Sequence, residues 1–129
     1  MILKMVAQRH EGDCTIAALA MFLGETYEDV LSTAAALDTA PHHRGMWNKQ
    51  IIKVAEIMGT PLKEKHKWDE EASEGILVLA STNKGDPNTH VVVLHSGLIF
   101  DGDLSVWEPS VYYAHYNWKP WAILVRKEK

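Results

Sequence analysis

Cys14 is the only cysteine among 129 residues, and it follows Asp13 directly at the head of an apolar segment. Catalysis by a cysteine needs a thiolate, a base that makes it, and donors for the oxyanion that forms when it attacks a carbonyl. A thiol at a helix N-terminus sits at the positive end of the helix dipole, which favours the thiolate. Asp13 acts in two directions. As an N-cap it orders the helix start, while its charge opposes thiolate formation. A lone cysteine beside an amphipathic helix is also what a small buried apolar residue looks like, so the case rests on its partners.

The base would be a histidine, and the chain has seven: His10, His42, His43, His66, His90, His95 and His115. His90 opens the apolar run His90-Val-Val-Val-Leu-His95, directly after the turn-rich stretch Ser81-Thr-Asn-Lys-Gly-Asp-Pro-Asn88. The start of a strand at a sheet edge would hold an imidazole rigidly and leave it accessible. His95 lies five residues on and faces the other side of the sheet, so only one of the two can face a given cleft. His42 and His43 fall in a polar loop beside Arg44. Together with His10 they lack the spacing of a metal site, and neither metal nor cofactor is expected. Asp101 ends the short run Leu98-Ile-Phe100, which a tight Ser96-Gly97 turn folds back on the His90 run. An acid there, accepting from the imidazole Nδ1–H, would fix the tautomer and stabilise the imidazolium. Asp103 points to the same side and competes for that role. Asp101-Gly102-Asp103 also reads simply as a turn.

These residues need elements to hold them. Ile16, Leu19, Ala20 and Leu23 recur with helical period and Gly24 follows as a stop, so the first helix begins at or beside Cys14. Thr26-x-x-Asp29 opens a second helix in the manner of a capping box, with Tyr27, Val30, Leu31 and Ala34 on its apolar face. Trp47, Ile51, Val54, Ala55 and Met58 mark a third, ended by Gly59 and Pro61. The pattern then changes. Gly75 to Ala80, His90 to His95, Leu98 to Phe100 and Trp121 to Arg126 read as strands, and Glu108-Pro109 starts a short helix through Tyr113. Helices first and strands afterwards imply an α+β fold, with N-terminal helices packed on a C-terminal antiparallel sheet. The length suits one domain over residues 1–129.

Composition excludes several functions. A net charge of −4 and 23% charged residues give no basic footprint for nucleic acid. No stretch approaches the roughly 18–20 apolar residues of a membrane span, and Met1 to Asp13 lacks the apolar run of a signal peptide. One cysteine forms no internal disulfide, and the expected setting is a reducing cytoplasm. Trp107, Tyr112, Tyr113, Tyr116, Trp118 and Trp121 crowd the last quarter and read as core packing rather than as a cleft wall.

Gln8-Arg-His-Glu-Gly-Asp-Cys14, followed by Thr-Ile-Ala-Ala-Leu-Ala-Met-Phe-Leu-Gly24, resembles the start of the bacteriocin-processing leader peptidases, papain-like enzymes that cut after double-glycine leaders. His90-Val-Val-Val-Leu and Ile-Phe-Asp101 follow in the family's order, and the final strand Ala-Ile-Leu-Val is similar too. The resemblance implies a papain-like fold, a peptide or protein substrate, and a bacterial or phage setting. It implies Cys14 as nucleophile, His90 as general base, Asp101 as its orienting acid, and Gln8 as the oxyanion-hole amide beside the Cys14 N–H. Two stretches depart from the pattern. Thr15 and Ile16 stand where the family usually has Gly and then Pro or another small residue, and a threonine there would narrow the groove mouth or alter the oxyanion geometry. Asp101-Gly102 stands for the usual Asp-Pro. These departures make a second expectation possible on the same fold, a domain without turnover that binds proteins as an inhibitor or adaptor.

Overall fold

The computed structural model describes residues 3–9, 13–37 and 48–127. In chain order they form α1 (Cys14–Leu23), α2 (Tyr27–Ala36), α3 (Asn48–Ile57), β1 (Leu62–Lys65), β2 (Gly75–Ser81), β3 (Thr89–His95), β4 (Leu98–Phe100), β5 (Val106–Trp107), α4 (Pro109–Tyr116) and β6 (Trp118–Arg126). The strands make one antiparallel sheet in the order β1-β6-β2-β3-β4-β5. The last strand therefore lies inside the sheet, between β1 and β2.

Helices cover both faces. On one, α1, α2 and α3 bury Ile16, Leu19, Val30, Ile51 and Val54 against Ile76, Val78, Val91, Val93 and Leu124. On the other, Tyr112 of α4 packs on Leu77, Leu79, Val92, Leu94, Ile99 and Ile123. The alternation of β2, β3 and β6 between the two cores is the period-2 consequence of the pleat. The first helix differs from its sequence reading. Instead of one apolar stripe, every residue from Thr15 to Phe22 is buried, as expected for a helix enclosed on all sides. Its alanines let neighbouring layers approach closely.

The second helix is capped as its sequence suggests, with Thr26 Oγ1 accepting from the Asp29 N–H at 3.1 Å. The helix after Glu108 runs to Tyr116, past the expected end, with Pro109 in its first turn and Asn117 in a left-handed conformation closing it. Ser96 and Gly97 both have positive φ, 52° and 76°, the combination a two-residue hairpin turn with the right twist demands.

That hairpin is short. β4 pairs only with the far end of β3, through Val93↔Phe100, Leu94↔Ile99 and His95↔Leu98. Thr89 to Val92 pair with β2 alone. At His90 the sheet is thus open on one side, the local edge that its sequence context suggests. The residue sits on an interior strand whose partner stops early, and the gap beyond β4 is where the chemistry-bearing residues meet.

Candidate active site

Cys14 is the first residue of α1, half-buried at the border of the three-helix core. The carbonyl of Asp13 accepts from the N–H groups of Ile16 and Ala17 at 3.0 and 3.2 Å, which starts the helix at this point. Cys14 lies near enough to the imidazole of His90 to act on its basicity. His90 Nε2–H donates to Asp101 Oδ1 at 3.0 Å. The imidazole is 19% exposed and the carboxylate 8%.

The nitrogen that meets the acid is Nε2, where the sequence reading has Nδ1. The reason is register. Continuing the β3–β4 pairing past Val93↔Phe100 sets Asp101 opposite Val92, two residues along the strand from His90, so the ring spans the offset with its distal nitrogen.

The electrostatics follow from this geometry. Burial alone would lower the basicity of His90. The hydrogen bonds and charges of Asp101 and Cys14 outweigh it and hold the imidazolium pKa up, at about 10. Burial would raise the carboxyl pKa of Asp101, but the His90 contact, the Tyr112 hydroxyl and the Asp103 N–H together keep it below the usual value. Asp103 itself does not take the place of Asp101. Its exposed carboxylate accepts from the N–H and hydroxyl of Ser105.

Two side chains that carry no signal in the sequence complete the cluster. Tyr112, fully buried on α4, donates its hydroxyl to Asp101 Oδ2 at 2.6 Å. Burial and the adjoining carboxylate push its phenol far above the usual range, so it is a permanent donor. Trp118, at the start of β6, stacks on the His90 ring with centroids 5.7 Å apart and planes 20° from parallel. Both contacts cross between elements distant in sequence, and no local pattern announces them. Tyr112→Phe is expected to destabilise the protein by about 1.5–3 kcal/mol, the range for a charge-assisted hydrogen bond to a buried group. Urea unfolding of the two proteins measures it, and an unchanged midpoint would show the bond to be energetically idle.

Gln8 is held by its backbone. Its N–H donates to the Gly102 carbonyl at 2.8 Å. A Cβ on Gly102 would stand 3.0 Å from the Gln8 Cβ and 3.4 Å from the Ala17 Cβ. A glycine after Asp101 thus lets the segment around Gln8 lie between the first turn of α1 and the turn that carries the acid. Thr15 is 1% exposed and so does not narrow a groove mouth as its sequence position suggests. Its side chain points into the protein. Asp13 occupies the N-cap position of α1 as the sequence suggests, but its carboxylate makes no capping bond to the helix.

The other described histidines lie elsewhere. His95, on the opposite face of β3, contacts Glu74 at 3.3 Å and Phe100. His66 bonds Glu64 and the Trp121 carbonyl, and His115 stacks on Trp107. His10, His42 and His43 fall outside the described residues. Among the described residues no group of three His, Cys, Asp or Glu gathers as metal ligands, and no helix is long and apolar enough to cross a membrane.

Solved structures share this architecture. The peptidase domain of Streptococcus ComA, a bi-functional ABC transporter involved in a quorum-sensing pathway, superposes with a TM-score of 0.63 at 16% identity, over 98% of this chain and 100% of that one. The chain has a papain-like fold. The Streptococcus mutans ComA peptidase domain gives 0.63 at 15% identity, over 97% and 99% of the two chains. Its complex with a small-molecule inhibitor gives 0.58 at 14%. No protein-family model and no curated protein sequence matches the chain. At such identities the likeness speaks for the fold, and the chemistry must be argued from the side chains.

Proposed function

We propose that the protein is a cysteine peptidase, a single papain-like domain of a reducing compartment that acts on a peptide or protein substrate. The observation that carries this reading is the hydrogen bond of the His90 imidazole to the Asp101 carboxylate at 3.0 Å, with Cys14 at the head of α1 near the same ring. An imidazole so oriented beside a thiol can take the thiol's proton as the sulfur attacks and later give it to a leaving group.

The steps follow. Cys14 Sγ attacks the carbonyl carbon, and the tetrahedral oxyanion accepts from the Gln8 side-chain amide and the Cys14 N–H. His90 Nδ1–H gives its proton to the leaving nitrogen as the C–N bond breaks, leaving a thioester. Water then attacks the thioester while Nδ1 takes its proton, and the acid product leaves with the thiol restored. Asp101 stays ionised throughout and orients the ring. Trp118 shields one face of the imidazole from water, which strengthens the His90–Asp101 interaction.

Iodoacetamide labelling tests the premise. At pH 7 the Cys14 thiol is expected to react at least tenfold faster than a small model thiol under the same conditions, with mass spectrometry locating the adduct. A rate no greater than that of the model thiol would refute an activated nucleophile. The ComA peptidase domains support the peptide substrate by fold alone. Deamidation and acyl transfer use the same first steps.

A further inference from the structure

We infer that Asp13 and Tyr27 are positioning residues for the oxyanion hole: their buried hydrogen-bonded pair anchors the Gln8–Arg9 backbone to α2 and thereby sets where the Gln8 amide stands. This rests on the peptidase reading above and extends it to residues with no contact to substrate.

Asp13 is 2% exposed, and a polar group buried that deeply is retained at a cost unless donors meet it. Its Oδ2 accepts from two directions: the Tyr27 hydroxyl, at 2.5 Å, and the Arg9 N–H, at 3.2 Å. Neither of these partners belongs to α1, so the two bonds tie the carboxylate to the preceding segment and to α2. Burial and the Asp13 carboxylate raise the Tyr27 hydroxyl pKa to about 12, and the donor persists across any working pH.

The consequence for Gln8 is geometric. Its own N–H is fastened to Gly102 at 2.8 Å, and the next N–H in the chain is fastened to Asp13. Successive amides are therefore fixed to opposite walls, one following the acid Asp101 and the other preceding the nucleophile Cys14. The Arg9 guanidinium adds to the anchorage, 4.2 Å over the Tyr27 ring and paired with Glu28 at 2.6 Å. A hydrogen-bond donor stabilises an oxyanion only if it is held in place before the charge forms. Losing the Asp13 anchor frees one of the two fixed points on either side of the Gln8 side chain.

The test separates oxyanion chemistry from thiol reactivity. Acylation by p-nitrophenyl acetate passes through an oxyanion, whereas alkylation by iodoacetamide does not. Removing an oxyanion donor costs about 10²–10³-fold, which sets the scale for Gln8→Ala. Asp13→Ala is expected to slow acylation at least tenfold without slowing alkylation. Asp13→Asn, whose amide oxygen accepts from the same two donors, should restore acylation to within a few-fold of the parent. Tyr27→Phe provides the same reading if Asp13→Ala does not fold, with acylation reduced several-fold and alkylation maintained. If Gln8→Ala slows acylation while Asp13→Ala and Tyr27→Phe do not, the anchor is refuted and the peptidase reading stands. Equal losses of acylation and alkylation would also overturn it, since Cys14 itself would then be displaced. An unaltered acylation rate in Gln8→Ala removes the oxyanion role of Gln8 and this inference with it.

Discussion

Cys14→Ala is expected to abolish peptide hydrolysis and leave a folded protein. The sulfur is the only atom that can carry the acyl group in the proposed sequence, and losing the nucleophile of a triad costs on the order of 10⁶-fold in turnover. The stability change should be small. Cys14 is half-buried at the margin of the core, and alanine is the best helix former. The loss of packing and the gain in propensity should cancel to within about 1 kcal/mol. A second signature should accompany it. Cys14 is one of two groups that raise the His90 imidazole, so the ring should titrate below about 10 in the variant, as NMR of the ring protons would record. Residual hydrolysis above a hundredth of the parent rate would move the nucleophile elsewhere.

The second large effect concerns His90. His90→Gln is expected to lower hydrolysis by roughly 10³–10⁴-fold, within the range for a general acid–base, because glutamine can bond Asp101 but can neither take nor give a proton. The pH profile of the parent protein should show why. An imidazolium with its pKa raised to about 10 is fully protonated at neutral pH and loses its proton as pH rises through that value. An amide leaving group needs that proton, so peptide hydrolysis should fall on the alkaline side near pH 10. A p-nitrophenyl ester, whose leaving group departs unprotonated, should show no such fall. The same linkage acts on folding. A group whose pKa is raised from 6.5 contributes stability that is complete below about 6.5 and disappears as pH climbs towards 10. A peptide-hydrolysis profile that falls near pH 7 would contradict the buried ion pair.

Local chemistry made much of this legible before any coordinates. The cap at Thr26, the stop at Gly24, the hairpin at Ser96-Gly97 and the apolar runs of β2, β3 and β6 each obey rules that act within a few residues. The nearness of His90 and Asp101 follows from that hairpin, since a two-residue turn fixes the register of both strands. What escaped was set by distant parts of the chain. β1 is a four-residue edge strand of which Leu62 alone is buried, so Lys63, Glu64 and Lys65 give it the look of a loop. β5 has only two residues. The ring nitrogen that faces the acid depends on a two-residue offset, and Tyr112 and Trp118 reach the site from α4 and β6 across the opposite core. Asp13 was read through its immediate neighbour Cys14, whereas its partners are Arg9 and the more distant Tyr27.

The placement of β6 has a temporal meaning. The strand that follows every other described element in the chain is the one inserted between β1 and β2, and its first residue stacks on the His90 imidazole. Until Trp118 to Arg126 has been made and slotted in, the sheet is split, Leu77, Leu79 and Ile123 have no common core, and the ring of His90 lacks its cover. Such long-range pairing forms late. On the proposed reading, a nascent or partly folded chain would carry Cys14, His90 and Asp101 without hydrolytic activity, and completion of the sheet would be the event that confers it.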